Sequence, residues 1–485
     1  MLPLFRASAE IAALAAQRVS RPAKLRTSLA METLICHASS SEFHSGRRGT
    51  CRSILIQSRC SGKIEKSKLR LAKQLYRASK LDSAMSIPPC ISLFVIFLLL
   101  SPPLSVGTIE GGGSPAQIEL LYGKGQNLLL MLLETGQVDG YVAWQPCLAQ
   151  AEVGEIGKVV ALSQDFPPNG FWHNHPCCVI AAKDSLLEND LSLVASLCAM
   201  TMLSTQWLND NPEESINITS LWLMGDRNYT FGEQSMSSTE VFSRSFSTSI
   251  FSCVADEDWI RSARSLSLYM NDTLNTMEGL NYSGNGSDFY DLRPYMIALK
   301  IINGSEPAMT NPSKKKLRIG YLMSDHEAPL FVAIKKWKFF QEKYGMALKP
   351  KDEGATRPQE IDFVVNNKTV AEIDLLTGST GQTLMTLMEQ NCLDMAYVGI
   401  TPALGLIGLG CRAKIILPFQ NQGSGLVLPF DSSVNSWDDF IFLARNRSAQ
   451  GKPLKIADPD LGTIADAIFQ SALKEEGIEC IKAMG

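Results

Sequence analysis

Polar turns recur in the second half of the sequence, four of the five with glycine, each between a strand-like run and another apolar element. The five turns are SDHEAP (324–329), GSTGQT (378–383), GITP (399–402), NQGSG (421–425) and DPDLGT (458–463). The first N–H groups of a helix lack intrahelical partners and carry a partial positive charge, so helices beginning near Thr380 and Thr463 could hold an anion without a lysine. Parallel strands present their carboxyl ends, and the turns that follow, at one sheet edge. The five turns together predict a ligand site there, although each one alone is also an ordinary helix cap or turn.

An aromatic residue, Trp144, follows a short apolar strand in the segment AWQPCL (143–148). An aromatic side chain at the edge of a cleft can close over a small organic ligand, whereas in a core it only packs against its neighbours. The residues by themselves leave both roles open.

The segment FWHNHPCC (171–178) contains four side chains that are able to bind a metal. They are His173, His175, Cys177 and Cys178. Neighbouring side chains of an extended strand point to opposite faces, so Cys177 and Cys178 are not expected to reach one ion. We therefore predict no metal site here and expect Cys178 to enter a sheet as a small hydrophobic residue.

The sequence lacks the common motifs of nucleophilic, phosphate-binding and metal-dependent enzymes. It contains no GxSxG, no P-loop, no HExxH and no paired CxxC, and only five histidines are available for proton transfer. We therefore expect a protein that is not an enzyme and that uses no cofactor.

Strand-like and helix-like runs alternate through residues 116–228 and again through residues 317–485. Such alternation predicts an α/β fold with two lobes, each a mostly parallel sheet flanked by helices. Between the two ranges, the Ser- and Asn-rich residues 229–300 are a predicted helical tail, and residues 301–316 have the composition of a linker.

The N-terminal part of the sequence differs in composition from the rest. Residues 1–84 carry 16 Lys and Arg against 5 Asp and Glu, and we interpret them as a basic leader that is disordered or not translated. Residues 85–107 resemble a secretory signal, because a run of ten residues (91–100), apolar except for Ser92, precedes small residues at a candidate cleavage site. The remainder carries 29 Lys and Arg against 44 Asp and Glu, which argues against nucleic acid as a partner.

Two pairs of segments repeat each other. LLLMLLETGQVDGYVAW (128–144) aligns without a gap with TLMTLMEQNCLDMAYVG (383–399), pairing Asp139 with Asp394. AQIELLYGKGQ (116–126) is similar to GIECIKAMG (477–485), at the opposite end of the folded part. The first pair predicts two lobes that are built alike, although an ordinary helix–turn–strand unit could also arrive at this spacing independently.

Four segments together resemble the nitrate-, sulfonate- and taurine-type solute-binding proteins of ABC importers. They are LRIGYLMSDHEAPLFVA (317–333), LDMAYVGITPAL (393–404), GQVDGYVAWQPCLAQAEVGEIGKVV (136–160) and NHPCCVIAAKDSLLEND (174–190). The resemblance covers residues 116–228 and 317–485. It implies a periplasmic-binding-protein-like fold, in which two lobes close over a small anionic solute and deliver it to a membrane permease.

The resemblance also implies a set of ligand-binding residues. They are Ser324, Asp325 and His326 in the first cleft loop, Gly399 and Thr401 in the second, Gly423, Ser424 and Thr463 in further turns, and Trp144, Gln145 and His175 in the opposite lobe. The order of the lobes departs from the family, because the lobe that begins LRIGY comes second here. Either a circular permutation or a slice across two tandem copies would produce this order.

We therefore expect a periplasmic or extracellular binding protein whose partners are a small-molecule solute and an ABC permease in the membrane. One alternative is an enzyme similar to the thiamine-pyrimidine synthases, which resemble this family in fold but need a cysteine-rich metal run and a lysine for a cofactor aldehyde. A non-functional fragment of a binding protein is the other alternative.

Overall fold

Both halves of the chain contribute strands to each of two sheets. A computed structural model describes residues 118–123, 125–225, 227–231, 234–276, 288–309 and 316–484. The predicted leader (1–84), the signal-like segment (85–107) and residues 310–315 of the predicted linker lie outside the described residues. Residues Ser114–Gly485 group into one compact unit.

Sixteen strands are found among the described residues. In the first half they are β1 (Ile118–Tyr122), β2 (Gly140–Trp144), β3 (Gly157–Leu162), β4 (Pro176–Lys183), β5 (Tyr229–Phe231), β6 (Gln234–Met236) and β7 (Ser249–Ile250). In the second half they are β8 (Leu317–Leu322), β9 (Met346–Pro350), β10 (Glu360–Val365), β11 (Lys368–Gly378), β12 (Met395–Gly399), β13 (Ala413–Gln422), β14 (Ser424–Pro429), β15 (Leu454–Asp458) and β16 (Cys480–Met484).

Fourteen α-helices accompany these strands in the described part of the chain. The first eight are α1 (Leu129–Glu134), α2 (Cys147–Val153), α3 (Asp184–Asn189), α4 (Leu191–Asp210), α5 (Pro212–Met224), α6 (Ser238–Phe246), α7 (Glu257–Thr276) and α8 (Arg293–Ile302). The others are α9 (Ala328–Lys335), α10 (Trp337–Tyr344), α11 (Gly381–Glu389), α12 (Ile400–Gly408), α13 (Trp437–Ala449) and α14 (Ile464–Glu475).

The two larger sheets are mixed, and β5 and β6 form a separate two-stranded antiparallel sheet. A six-stranded sheet has the order β16-β1-β15-β2-β14-β3, and an eight-stranded sheet has the order β7-β13-β4-β12-β8-β11-β10-β9. Parallel pairing joins β16, β1, β15 and β2 in the first sheet, but only β12, β8 and β11 in the second. The predicted α/β fold with two helix-flanked lobes is confirmed. The larger sheet is not mostly parallel, because β4 and β13 enter it antiparallel and β9–β11 form antiparallel pairs.

Two connections between described strands carry the chain from one sheet to the other. Residues 163–175 lead from β3 in the smaller sheet to β4 in the larger one, and Gly423 alone separates β13 from β14. Gly423 has φ +83, a left-handed conformation that residues with a side chain rarely adopt. These connections are the places where a relative movement of the lobes would be absorbed.

The internal repeat seen in the sequence has the same backbone setting in both lobes. The N–H of Asp394 donates to the carbonyl of Arg318 at the start of β8, and the N–H of Asp139 donates to the carbonyl of Lys455 at the start of β15. In return, each aspartate side chain accepts a hydrogen bond from the backbone N–H of the same partner. The two helix–turn–strand units are therefore tied to a neighbouring parallel strand in the same way.

The similar segments at the two ends of the described part of the chain lie next to each other. Strand β1 pairs in parallel with β16, with Ile118 opposite Cys480, and on its other side with β15. The two versions of this strand thus occupy neighbouring positions in the smaller sheet, and the permuted order is compatible with both lobes forming within one chain.

Some elements differ from the sequence prediction. The hairpin of β9 and β10 was not predicted, and the helix expected over 328–345 is broken at Lys336 into α9 and α10. The helices of the predicted tail (229–300) pack into the fold: α8 lies against α4, and α7 contacts α12 and α14.

Among the described helices, α4 is the one long and apolar enough to cross a membrane, but 78% of its apolar window is buried within the fold.

Candidate functional site

A small cavity lies between the two sheets, where the predicted turns meet. Six of the residues that the sequence analysis assigned to ligand binding line it: Trp144, Ser324, His326, Gly399, Thr401 and Thr463. Its volume is about 40 Å³, which is room for roughly three water molecules. The surface that faces the cavity is mostly apolar, although several lining residues carry hydroxyls.

Three helices begin at the wall of this cavity. Helix α11 is capped by Thr380, whose hydroxyl accepts the N–H of Thr383 at 3.1 Å, and α14 is capped by Thr463, whose hydroxyl accepts the N–H of Asp466 at 3.2 Å. Helix α12 has Gly399 at its cap and no side-chain cap. The first turns of all three helices line the cavity, so their partial positive charges converge on it.

One hydroxyl in this wall has no hydrogen-bond partner. Thr401, in the first turn of α12, is fully buried, and its Oγ1 makes no hydrogen bond within the described structure. A buried polar group without a partner costs roughly 1–3 kcal/mol. The Thr401 hydroxyl is therefore available to a bound solute.

The loop after β8 joins the two lobes at the cavity. The hydroxyl of Ser324 donates to the carbonyl of Gln145 in the opposite lobe at 3.1 Å, and it also accepts the N–H of His326 at 3.3 Å. Asp325 does not line the cavity; its carboxylate accepts a hydrogen bond from Ser245 behind the wall. Ser324 thus ties the backbone of this loop to the opposite lobe.

Four other residues that the sequence analysis assigned to ligand binding lie behind the cavity wall and do not line the cavity. Gln145 is buried and donates to Thr248 at 2.8 Å, while its Oε1 accepts the N–H of Ala149. The ring of His175 lies 2.7 Å from the hydroxyl of Ser163, and burial lowers its pKa to about 4, so it is neutral.

Gly423 and Ser424 also stand behind this wall. A Cβ on Gly423 would lie 2.9 Å from Nε2 of His326, so only glycine leaves room for that ring. Ser424 is buried, and its Oγ has no hydrogen-bond partner in the described structure. In this arrangement both residues therefore shape the cavity wall but do not line the cavity.

Two lining residues were not assigned to the site from the sequence, namely Cys177 and Cys178. Their sulfurs lie 3.8 Å apart, and each is 3.5 Å from Nδ1 of His326. The expectation that adjacent thiols would face opposite sides is wrong. The register between β4 and β13 shifts here, so that Cys178 opposes Gln420 while Cys177 has no partner on β13. A bulge of this kind redirects side chains that strict alternation would separate.

The ionisation of each residue in this cluster depends on the charges of the others. Burial opposes ionisation of Cys177, but the thiol of Cys178 and the neighbouring His326 outweigh it and lower the pKa of Cys177 to about 6. Burial and the adjacent Cys177 raise the pKa of Cys178 well above its usual value. Burial alone would lower the pKa of His326, but Cys177 and Asp325 raise it. The negative charge of a Cys177 thiolate and the positive charge of a His326 imidazolium therefore favour each other.

A buried carboxylate pair lies under the DPDLGT turn. Asp466 accepts hydrogen bonds from the hydroxyls of Tyr122 and Tyr269 at 3.1 and 2.8 Å and from the N–H of Gly462 at 2.8 Å. Burial, and then the charge of Asp466, raise the pKa of Asp458 well above its usual value. Asp458 therefore keeps its proton to a higher pH in the folded protein than in the unfolded chain.

This pair makes stability depend on pH. The unfolded chain releases the Asp458 proton at about pH 3.9, whereas the folded protein retains it. The contribution of Asp458 to stability is therefore highest below that pH and falls as the pH rises, by roughly 1.4 kcal/mol per unit until the folded pKa is reached. Asp458→Asn supplies a neutral amide, so we expect the variant to melt higher than the parent at pH 8 and to lose this part of the pH dependence. Thermal melts at pH 5 and pH 8 test this, and a variant that melts lower at pH 8 would contradict the assignment.

Comparison with known proteins gives a family match and one distant relative. The model of the family described as "NMT1-like family" matches residues 115–222 and 310–484, more than half of the chain. An uncharacterized protein of Methanocaldococcus jannaschii is 33% identical over 114 residues, which cover 23% of this chain and 75% of that protein. No solved structure matches the chain.

Proposed function

Because the chain belongs to the NMT1-like family, which is related to periplasmic binding proteins, we propose that it is the solute-binding component of an ABC importer. In this proposal it acts outside the cytoplasm, captures a small anion between its lobes and delivers it to a permease in the membrane. It catalyses no reaction. Nitrate, sulfonates and taurine are the solute types that the sequence resemblance suggested.

The observation that carries this proposal is the convergence of three helix N-termini on one cavity between the lobes. The caps of α11, α12 and α14 all lie in its wall, together with the unpartnered hydroxyl of Thr401. Helix N-termini and hydroxyls are sufficient donors for an anion. No lysine or arginine is among the described residues that line the cavity, so these donors would supply the attraction themselves.

The size of the cavity favours a compact anion. With about 40 Å³ available, the closed arrangement accommodates a planar oxyanion such as nitrate or bicarbonate, whereas typical sites for organic ligands measure about 300–1,000 Å³. Taurine would require the lobes to open. We therefore expect nitrate or bicarbonate to bind more tightly than taurine.

Capture would depend on closure of the lobes. The chain crosses between the sheets at residues 163–175 and at Gly423, and helix α7 packs on both α12 and α14. A solute that touches all three helix N-termini gains contacts only when the lobes are together, so it shifts the population toward the closed state. A permease could then distinguish loaded from empty protein.

A thermal-shift screen tests the proposed ligand class. The purified chain is melted in nitrate, bicarbonate, taurine and an alkanesulfonate, with chloride at equal ionic strength as the control. A ligand at about 100 times its dissociation constant adds about 2.7 kcal/mol to the free energy of unfolding, and we expect this from nitrate or bicarbonate. If none of the anions raises the melting temperature above that in chloride, the proposal fails.

An enzyme similar to the thiamine-pyrimidine synthases remains the second candidate, because Cys177, Cys178 and His326 cluster in the cavity wall. Such an enzyme would also need a lysine at the site, and none is among the described lining residues. Absorbance of a bound pyridoxal cofactor in the purified protein would favour the enzyme. A chain that does not melt cooperatively would instead favour a non-functional fragment.

A further inference from the structure

The side chains of Cys177, Cys178 and His326 form a compact donor set in the cavity wall. The two sulfurs are 3.8 Å apart, and Nδ1 of His326 is 3.5 Å from each of them. All three residues are buried and all three line the cavity. Two thiol sulfurs and one imidazole nitrogen are ligands of the kind that soft and borderline cations prefer.

The three distances fit the edges of a metal coordination tetrahedron. With Zn–S bonds of about 2.3 Å and Zn–N bonds of about 2.0–2.1 Å, tetrahedral angles separate two sulfurs by roughly 3.8 Å and a sulfur from a nitrogen by roughly 3.6 Å. The observed 3.8 and 3.5 Å agree with these values within the tolerance expected of a metal site, about 0.2 Å. A cation could therefore be bound with little rearrangement of the three side chains.

The fold holds the three donors in this arrangement by means of local features. The bulge at Cys177 turns the two neighbouring thiols toward one point. The hydroxyl of Ser324 accepts the N–H of His326, and the missing side chain of Gly423 leaves space for the imidazole ring. The three donors therefore belong to the larger sheet and the loop after β8, and they lie next to the crossover at Gly423. None of the three is a surface side chain.

We propose that Cys177, Cys178 and His326 bind one cation of the Zn(II) class, with the fourth coordination position open to the cavity. Two thiolates neutralise the dication, so a cation can reside in this buried wall without a further charged ligand. The open position would take water or an oxygen of an anion held by the helix N-termini. Metal binding itself does not depend on anion capture, so the two proposals can fail separately.

Cobalt(II) is the probe for this site, because it occupies zinc sites and reports thiolate ligation in its absorption spectrum. The full chain is purified in a phosphine reductant, stripped with a chelator and titrated with Co(II). We expect thiolate-to-cobalt charge-transfer bands and intense visible bands of tetrahedral Co(II), saturating at one ion per chain. Addition of Zn(II) is expected to abolish both sets of bands.

Substitutions of the three residues test which side chains bind the metal ion. Cys177→Ser and Cys178→Ser should each remove one sulfur, reduce the charge-transfer intensity and weaken Co(II) binding by more than the roughly 10- to 100-fold lost when only an outer partner is removed. His326→Gln should weaken binding but keep the charge-transfer bands. Cys392→Ser, at an exposed thiol, and Cys198→Ser, at a buried thiol in α4, are the controls and should bind as the parent does.

Three results would overturn the proposal. They are a parent spectrum without charge-transfer bands, bands that persist unchanged in both Cys177→Ser and Cys178→Ser, and bands that disappear in Cys392→Ser. Thr401→Val should lose anion binding but keep the Co(II) spectrum, which separates failure of the metal site from failure of the proposed function.

Discussion

Replacing Thr401 by valine is expected to weaken the binding of nitrate or bicarbonate by about 10- to 100-fold, because a hydrogen bond to an ionised group contributes roughly 1.5–3 kcal/mol. Valine has nearly the same shape as threonine, so the wall of the cavity keeps its form. Thr401 is fully buried and its hydroxyl has no partner in the described structure. The variant therefore loses a donor to the solute and no hydrogen bond within the fold.

Thr219→Val is the matched control for this test. Thr219 in α5 is also fully buried with an unpartnered hydroxyl, but it does not line the cavity. Both variants should be at least as stable as the parent, since each removes a buried hydroxyl that lacks a partner. Titration calorimetry with the anion that gives the largest thermal shift measures the difference. Equal affinities in the two variants would place the anion elsewhere.

Replacing Asp394 by alanine is expected to lower the free energy of unfolding by about 3–5 kcal/mol. The carboxylate is 1% exposed, and it accepts hydrogen bonds from the Arg318 guanidinium at 3.1 and 3.2 Å and from the Arg318 backbone N–H at 3.0 Å. Removing it leaves the half-buried guanidinium without this partner. The loss also loosens the start of β12, the strand that ends at Gly399 in the cavity wall.

Asp139→Ala is the corresponding change in the other lobe. Asp139 accepts the backbone N–H of Lys455 at 2.8 Å, but its side chain is 33% exposed and its carboxylate lies 3.7 Å from Arg447. Water can replace these interactions, so we expect a loss of only about 1 kcal/mol. Urea denaturation of both variants tests the contrast. Similar losses of unfolding free energy in the two variants would show that burial of the ion pair does not determine its contribution to stability.

The anion and metal proposals concern different walls of the same cavity. The helix N-termini belong to α11, α12 and α14, whereas the thiols come from β4 and the imidazole from the loop after β8. If both hold, an anion would be bound between a cation and three helix dipoles. Anion affinity would then fall when the chelator removes the metal and return when Zn(II) is restored, which calorimetry can measure on one preparation.

The sequence determined the α/β class, the two similar lobes and most of the strands that carry the site. Strand and helix periods are local properties, and the pairing of Asp139 with Asp394 follows from spacing alone. The polar turns after strands were sufficient to predict helix starts near Thr380 and Thr463, whereas Thr401 and His326 became candidates only through the family resemblance. The ranges 116–228 and 317–485 were predicted as one lobe each, whereas both ranges contribute strands to each of the two main sheets.

Only the tertiary structure decided which of those candidate residues line the cavity and which lie behind its wall. The exchange of β4 and β14 between the halves of the chain depends on pairing between residues far apart in sequence, which no local pattern encodes. The same holds for the bulge that brings Cys177 and Cys178 to one side, because it arises from the register between β4 and β13. Alternation along a single strand predicts the opposite, since the direction of a side chain at a bulge is set by the partner strand.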